Sequence, residues 1–159
     1  MDRLKKNNVM KTNIMLTVFM VVAAVVMPAC AEPEAGRFVA NADSTVTDTS
    51  TGLMWAAKDN GSKLNLENAK SYCEDYSGGG YTDWRMPTLN ELSGLFDPNK
   101  NSVKGFHLSR LIKLSACCPW ATETRGSRAA FLNFITGSPG WNSPRYSGYN
   151  RALPVRNNN

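Results

Sequence analysis

With 159 residues, 42% of them hydrophobic and 19% charged, the chain is too apolar for wholesale disorder and is sized for one domain behind a leader. Its formal charge of +5 is unevenly placed: residues 1–29 carry +3, residues 30–96 carry −5 and residues 97–159 carry +7. Beyond the leader only +2 remains, so a positive face would come from polarisation between the two halves rather than from net charge.

Arg3, Lys5, Lys6 and Lys11 accompany an uncharged apolar run over residues 14–27, which ends at Pro28-Ala29-Cys30-Ala31. The run is short for a bilayer span, and residues 1–29 have the layout of a secretory signal. Two processing sites compete. Val26-Met27-Pro28-Ala29-Cys30 resembles a bacterial lipobox with Cys30 as lipid acceptor, although Met27 stands where Leu is favoured and Pro28 is unusual. Ala29-Cys30-Ala31 is a small-x-small site for cleavage after Ala31. The lipoprotein reading is preferred. The absence of Asp after Cys30 resembles Gram-negative lipoproteins sorted to the outer membrane, so the expected location is periplasmic or cell-surface. Residues 30–36, polar with Pro33 and Gly36, read as a tether.

The domain proper is expected over residues 37–156. Arg37-Phe38-Val39-Ala40, Thr45-Val46-Thr47-Asp48 and Leu53-Met54-Trp55-Ala56-Ala57 read as three strands, with Trp55 in the core. Asn65 is placed to cap a helix from Leu66, in which Leu66, Ala69, Tyr72, Cys73 and Tyr76 share one face. Residues 78–91 then read GGGYTDWRMPTLNE. The glycines stop the helix, Trp84 suits a core, and Pro87 biases Met86 towards extended geometry. Thr88 opens a second helix, with Glu91 at capping-box spacing, and Asp97-Pro98 ends it.

Residues 99–115 read as a short helix or a packed loop decorated by Lys100, Lys104, Arg110 and Lys113. His107, the only histidine, has no partner at a telling spacing and is expected to serve surface or packing. Residues 119–122 and 129–136 read as strands. The stretch 137–149, rich in Gly, Pro and Ser, reads as an irregular loop, and residues 152–156 as a closing strand. Pro154 suits an edge or a bulge there.

The corner sequence resembles the signature of the Lcl C-terminal domain family: Gly79-Gly80-Tyr81-Thr82-Asp83-Trp84-Arg85-Met86-Pro87-Thr88, then Glu91-Leu92. Further matches follow in order, among them Gly36-Arg37-Phe38, Thr51-Gly52-Leu53-Met54-Trp55, Trp120-Ala121-Thr122 and Arg151-Ala152-Leu153-Pro154-Val155-Arg156. The resemblance spans roughly residues 36–156. It implies an α+β, C-type-lectin-like fold: two short helices on a small, mainly antiparallel twisted sheet with long loops, the closing strand lying near the first. It implies function less firmly, through relatives that bind sulfated polysaccharides.

The stretch 137–149 and its flanks supply the candidate ligand-binding residues: Arg125, Arg128, Trp141, Arg145, Tyr146, Tyr149 and Arg151. Aromatic rings stack on sugar faces, and guanidinium forks grip sulfates and carboxylates in pairs of hydrogen bonds. The expected function is noncatalytic binding in the envelope, with an anionic polysaccharide as first ligand class. The alternative is a structural or protein-interaction lipoprotein without a glycan ligand. No nucleic-acid partner, cofactor or metal is expected. Calcium wants several converging oxygens, and residues 97–159 hold only Asp97 and Glu123 as acids. The chain lacks GxSxG, HExxH and P-loop patterns, so it does not read as an enzyme. In an exported protein a bridge from Cys73 to Cys117 or Cys118 is expected, with a vicinal Cys117–Cys118 bridge as the less favoured alternative.

Overall fold

A computed structural model describes residues 36–101 and 104–158. The leader, the tether and Cys30 lie outside the described residues.

Among the described residues eight strands and two α-helices follow in the order β1 (Phe38–Ala40), β2 (Thr45–Asp48), β3 (Leu53–Ala56), α1 (Leu66–Glu74), α2 (Leu89–Leu95), β4 (Cys118–Arg125), β5 (Arg128–Asn133), β6 (Ser138–Asn142), β7 (Asn150–Arg151) and β8 (Val155–Asn157), with a 3-10 turn over Gly78–Gly80 between the helices. This is the expected α+β class, two helices with mainly antiparallel strands, built on two sheets instead of one. The first sheet runs β1-β2-β3-β8, antiparallel throughout. The second runs β6-β5-β4-β7, in which only the β4–β7 pair is parallel.

β2 and β3 pair with Val46 opposite Trp55, both fully buried. Gly52 takes a left-handed φ of 68° in the turn between them, where a side chain would be strained. The closing strand corrects one expectation. β8 lies against β3, with Met54 opposite Arg156, at the far side of the sheet from β1. The reason is burial. β3 carries Met54, Trp55 and Ala56 inside, so it is the strand that needs a neighbour on both flanks.

The stretch expected as an irregular loop also holds a strand. β6 pairs with β5 along its whole length, from Ala129 opposite Asn142 to Asn133 opposite Ser138. Pro139 and Gly140 conceal it, because both are poor strand residues. β6 is an edge strand, where a missing N–H is tolerated. Gly140 lies beneath the Phe131 ring, where a Cβ would collide with it.

The helices start where local chemistry predicts. Asn65 Oδ1 accepts from the Asn68 amide at 2.9 Å. Thr88 Oγ1 accepts from the Glu91 amide at 3.1 Å, and Glu91 Oε2 accepts from the Thr88 amide at 2.8 Å, closing a capping box. The corner between the helices is pinned from within and without. Buried Trp84 donates from Nε1 to Gly78 O at 3.1 Å and takes the Tyr76 ring edge-on at 4.9 Å. Arg85 forks onto both oxygens of Glu91 and bridges Val155 through its backbone. Asp83 accepts from Arg156 Nε at 2.6 Å, while the Arg156 guanidinium stacks 3.9 Å from the Tyr81 ring centroid. That hydrogen bond holds the Asp83 carboxyl below its usual range. The signature residues of the corner thus serve to clasp β8 to the helical layer.

Among the described residues two apolar clusters form the core. Trp55, Leu92, Leu95, Phe134, Leu153 and Val155 belong to the larger. Ala69, Cys73, Met86, Trp120 and Ala152 belong to the smaller. The cysteines depart from expectation: Cys117 bonds to Cys118, and Cys73 is a free thiol. Cys73 lies on the buried face of α1 in the smaller cluster, and its thiol is not bonded to another cysteine. Burial disfavours the thiolate and pushes this thiol up to about 12.

Candidate functional site

The β4–β5 hairpin presents two of the predicted arginines. Gly126 turns it at a φ of 56°, and Arg125 pairs directly with Arg128. Like charges placed opposite one another in a hairpin repel. Neither has an acidic partner within ion-pair distance among the described residues. β6 brings Trp141 to the same edge, because it pairs with Ala130 of β5. The Arg125 guanidinium sits 4.7 Å from the Trp141 ring centroid, and Arg128 Nη1 donates to Trp141 O at 3.2 Å. The ring is half-buried against the core and the arginines are exposed, so the patch is a fixed aromatic seat carrying two available forks.

Arg145, Tyr146 and Tyr149 are exposed on the segment after β6. That segment turns through Tyr146 N donating to Ser143 O at 2.9 Å, and it docks near the start of α1 through Leu66 N donating to Pro144 O at 2.9 Å. Among the described residues, no hydrogen bond or ring contact joins these three to the Arg125–Trp141–Arg128 patch. Arg151 has to be withdrawn from the predicted surface. It is buried, with Nε donating to Ser115 Oγ at 2.7 Å and Nη1 to Asn150 O at 2.9 Å. Its place in β7, next to β4, turns it inward as a bracing residue.

Both acids of the C-terminal half are occupied in local structure. Glu123 accepts the Leu89 amide on both oxygens at 2.9 Å, at the start of α2, and Asp97 Oδ1 accepts from the Asn99 amide at 2.9 Å. Among the described residues, no three of His, Cys, Asp and Glu converge as a metal site. His107 packs edge-on against Phe96 at 5.6 Å, with Nδ1 2.7 Å from Lys100 O. Among the described residues, no helix is long and apolar enough to cross a membrane.

Sequence reasoning missed a second basic feature. A cavity of about 460 Å³ gathers Lys58 beside Lys104, Arg110 and Lys113, over Ile112 and Leu114. The three later cations stand out in the sequence, but Lys58 comes from 46 residues before Lys104 and reaches the site only through tertiary pairing.

The fold and these surfaces describe a small α+β domain with a hairpin edge that carries two arginines, without ion pairs among the described residues, beside an aromatic ring. Residues 44–156 match the Lcl C-terminal domain, and the chain belongs to that family. It is a family of noncatalytic domains. A search of the curated proteins finds no match to the chain.

Proposed function

We propose that this protein is a binding module of the bacterial envelope or surface, and that its ligand is a sulfated or otherwise anionic polysaccharide. The observation that carries the reading is the Arg125–Trp141–Arg128 patch. Two exposed guanidinium groups, without acidic partners among the described residues, flank one ring that the sheet holds in place. Sulfate and carboxylate groups suit guanidinium forks, and a fixed ring offers stacking area at little entropic cost. Arg145, Tyr146 and Tyr149 extend the surface a long chain can follow. The leader supports export with a lipid on Cys30 as the anchor, sorted to the outer membrane.

Binding to immobilised dextran sulfate at low and moderate salt tests this. Binding that weakens steeply with ionic strength is expected, because exposed charge pairs are screened. Arg128→Ala is expected to weaken it about tenfold, the equivalent of one charge-assisted hydrogen bond. Absence of binding to any polyanion overturns the reading, and salt-insensitive binding to envelope proteins instead points to a protein-interaction role. Mass spectrometry of the mature N-terminus tests the anchor: an unmodified start at Glu32 rules it out.

A further inference from the structure

The cavity near Lys58 calls for a different ligand. Its walls are two segments stapled side by side. Lys113 N donates to Ala57 O at 2.9 Å and Asp59 N to Lys113 O at 3.2 Å, which sets Lys58 against Lys113 in a parallel bridge. Asp59 closes the staple. Its Oδ1 accepts the Gly61 amide at 2.9 Å, and its Oδ2 accepts the Ser115 amide at 2.6 Å and the Ser115 hydroxyl at 3.0 Å. Behind the lining lie Ile112 and Leu114, which are 1% and 6% exposed and belong to the main core, so the apolar surface a ligand meets is mainly the aliphatic stems of the long cationic side chains.

The charge at this site is unbalanced. Lys58, Lys104, Arg110 and Lys113 line the cavity, and Asp59 is the one acid among its lining residues. Three donors already occupy that carboxylate. Among the described residues none of the four cations makes an ion pair, and the one side-chain hydrogen bond from them is Lys104 Nζ to Ser115 O at 3.2 Å. Like charges facing each other across paired backbone are unfavourable, and the apolar core behind them offers nothing to offset them. The fold needs the backbone staple but not lysine at both positions. Sites where local chemistry conflicts with stability are where function is expected.

We infer that this cavity binds a small amphiphilic anion, an apolar body with one carboxylate-like head. The head lies among the four cations, and the body lies along the aliphatic stems of these same side chains. The volume falls within the roughly 300–1,000 Å³ typical of small-molecule sites. A purely polar anion would leave the apolar stems of the lining in water, and a neutral apolar molecule would leave the cations unneutralised. The site shares no residue with the Arg125–Trp141–Arg128 patch, so it stands independently of the polysaccharide reading.

Isothermal titration of the protein with octanoate, octanol and acetate tests it. Octanoate is expected to bind, with octanol and acetate at least about tenfold weaker, since each lacks one of the two recognised parts. The Lys58→Gln/Arg110→Gln double variant changes two exposed side chains and should keep the native circular dichroism spectrum. It is expected to lose about tenfold or more in octanoate affinity. No octanoate binding at millimolar concentration, equal binding of octanol, or unchanged affinity in a folded double variant would each overturn the assignment.

Discussion

Glu91 is the residue where the helical layer and the closing strand are tied together, and its replacement by alanine gives a worked prediction. The Thr88 amide loses its acceptor, and a lost helix cap costs about 1 kcal/mol. Arg85 loses two charge-assisted hydrogen bonds, of 2.6 and 2.9 Å. Fully shielded, each would contribute about 1.5–3 kcal/mol. The Arg85 side chain is 39% exposed, however, and water replaces much of the loss, so about 1 kcal/mol for the pair is the better figure. The expected destabilisation is therefore about 2 kcal/mol for Glu91→Ala. Glu91→Gln keeps an acceptor for Thr88 and should cost about half as much. Urea unfolding followed by circular dichroism measures both. The pH dependence gives a second, independent reading. Burial pushes the Glu91 carboxyl up, but the Arg85 fork and the Thr88 amide outweigh it and hold the group below its usual value. A carboxyl lowered on folding adds stability above its unfolded pKa, about 4.3, and loses it as pH falls through the folded value. The gap between wild type and Glu91→Ala should therefore shrink below about pH 4. An alanine variant within about 0.5 kcal/mol of wild type, or a gap unchanged from neutral pH to strong acid, would refute the reasoning.

Three further outcomes follow from the packing. Gly140→Ala drives a methyl group into the Phe131 ring and should destabilise the domain by about 1–3 kcal/mol; an unchanged melting temperature would mean that β6 is not seated as described. Trp120 donates from Nε1 to Leu64 O at 2.8 Å, whereas the buried Trp55 Nε1 has no partner among the described residues. Trp120→Phe should therefore cost about 1–2 kcal/mol more than Trp55→Phe in denaturant unfolding, and the reverse order would contradict this account. Cys73, with a thiol at about 12 and no exposure, should resist iodoacetamide in the native protein and react once unfolded; rapid native labelling would place it at the surface instead.

How much was legible beforehand depended on the distance over which each feature is decided. Asn65, Thr88 and Glu91 act on amides three residues away, so both helix starts could be read in advance. The alternation through Thr45–Asp48 likewise announced a strand. The glycines before Trp84 announced a helix stop because left-handed backbone is cheap for that residue alone. The hairpin arginines were found for a related reason: two cations around Gly126 share an edge whatever the rest of the chain does.

From the chain alone, then, came both helices, the first three strands and the basic, aromatic character of the later half, since these rest on contacts between near neighbours; the class of fold came through the family resemblance. Only tertiary structure decided that β8 flanks β3, that β6 is a strand, that Arg151 turns inward, that Cys73 stays reduced while Cys117 joins Cys118, and that Lys58 meets Lys113. Most of these depend on a partner tens of residues away. Choosing that partner is a competition among all buried surfaces at once, and no local pattern records its outcome.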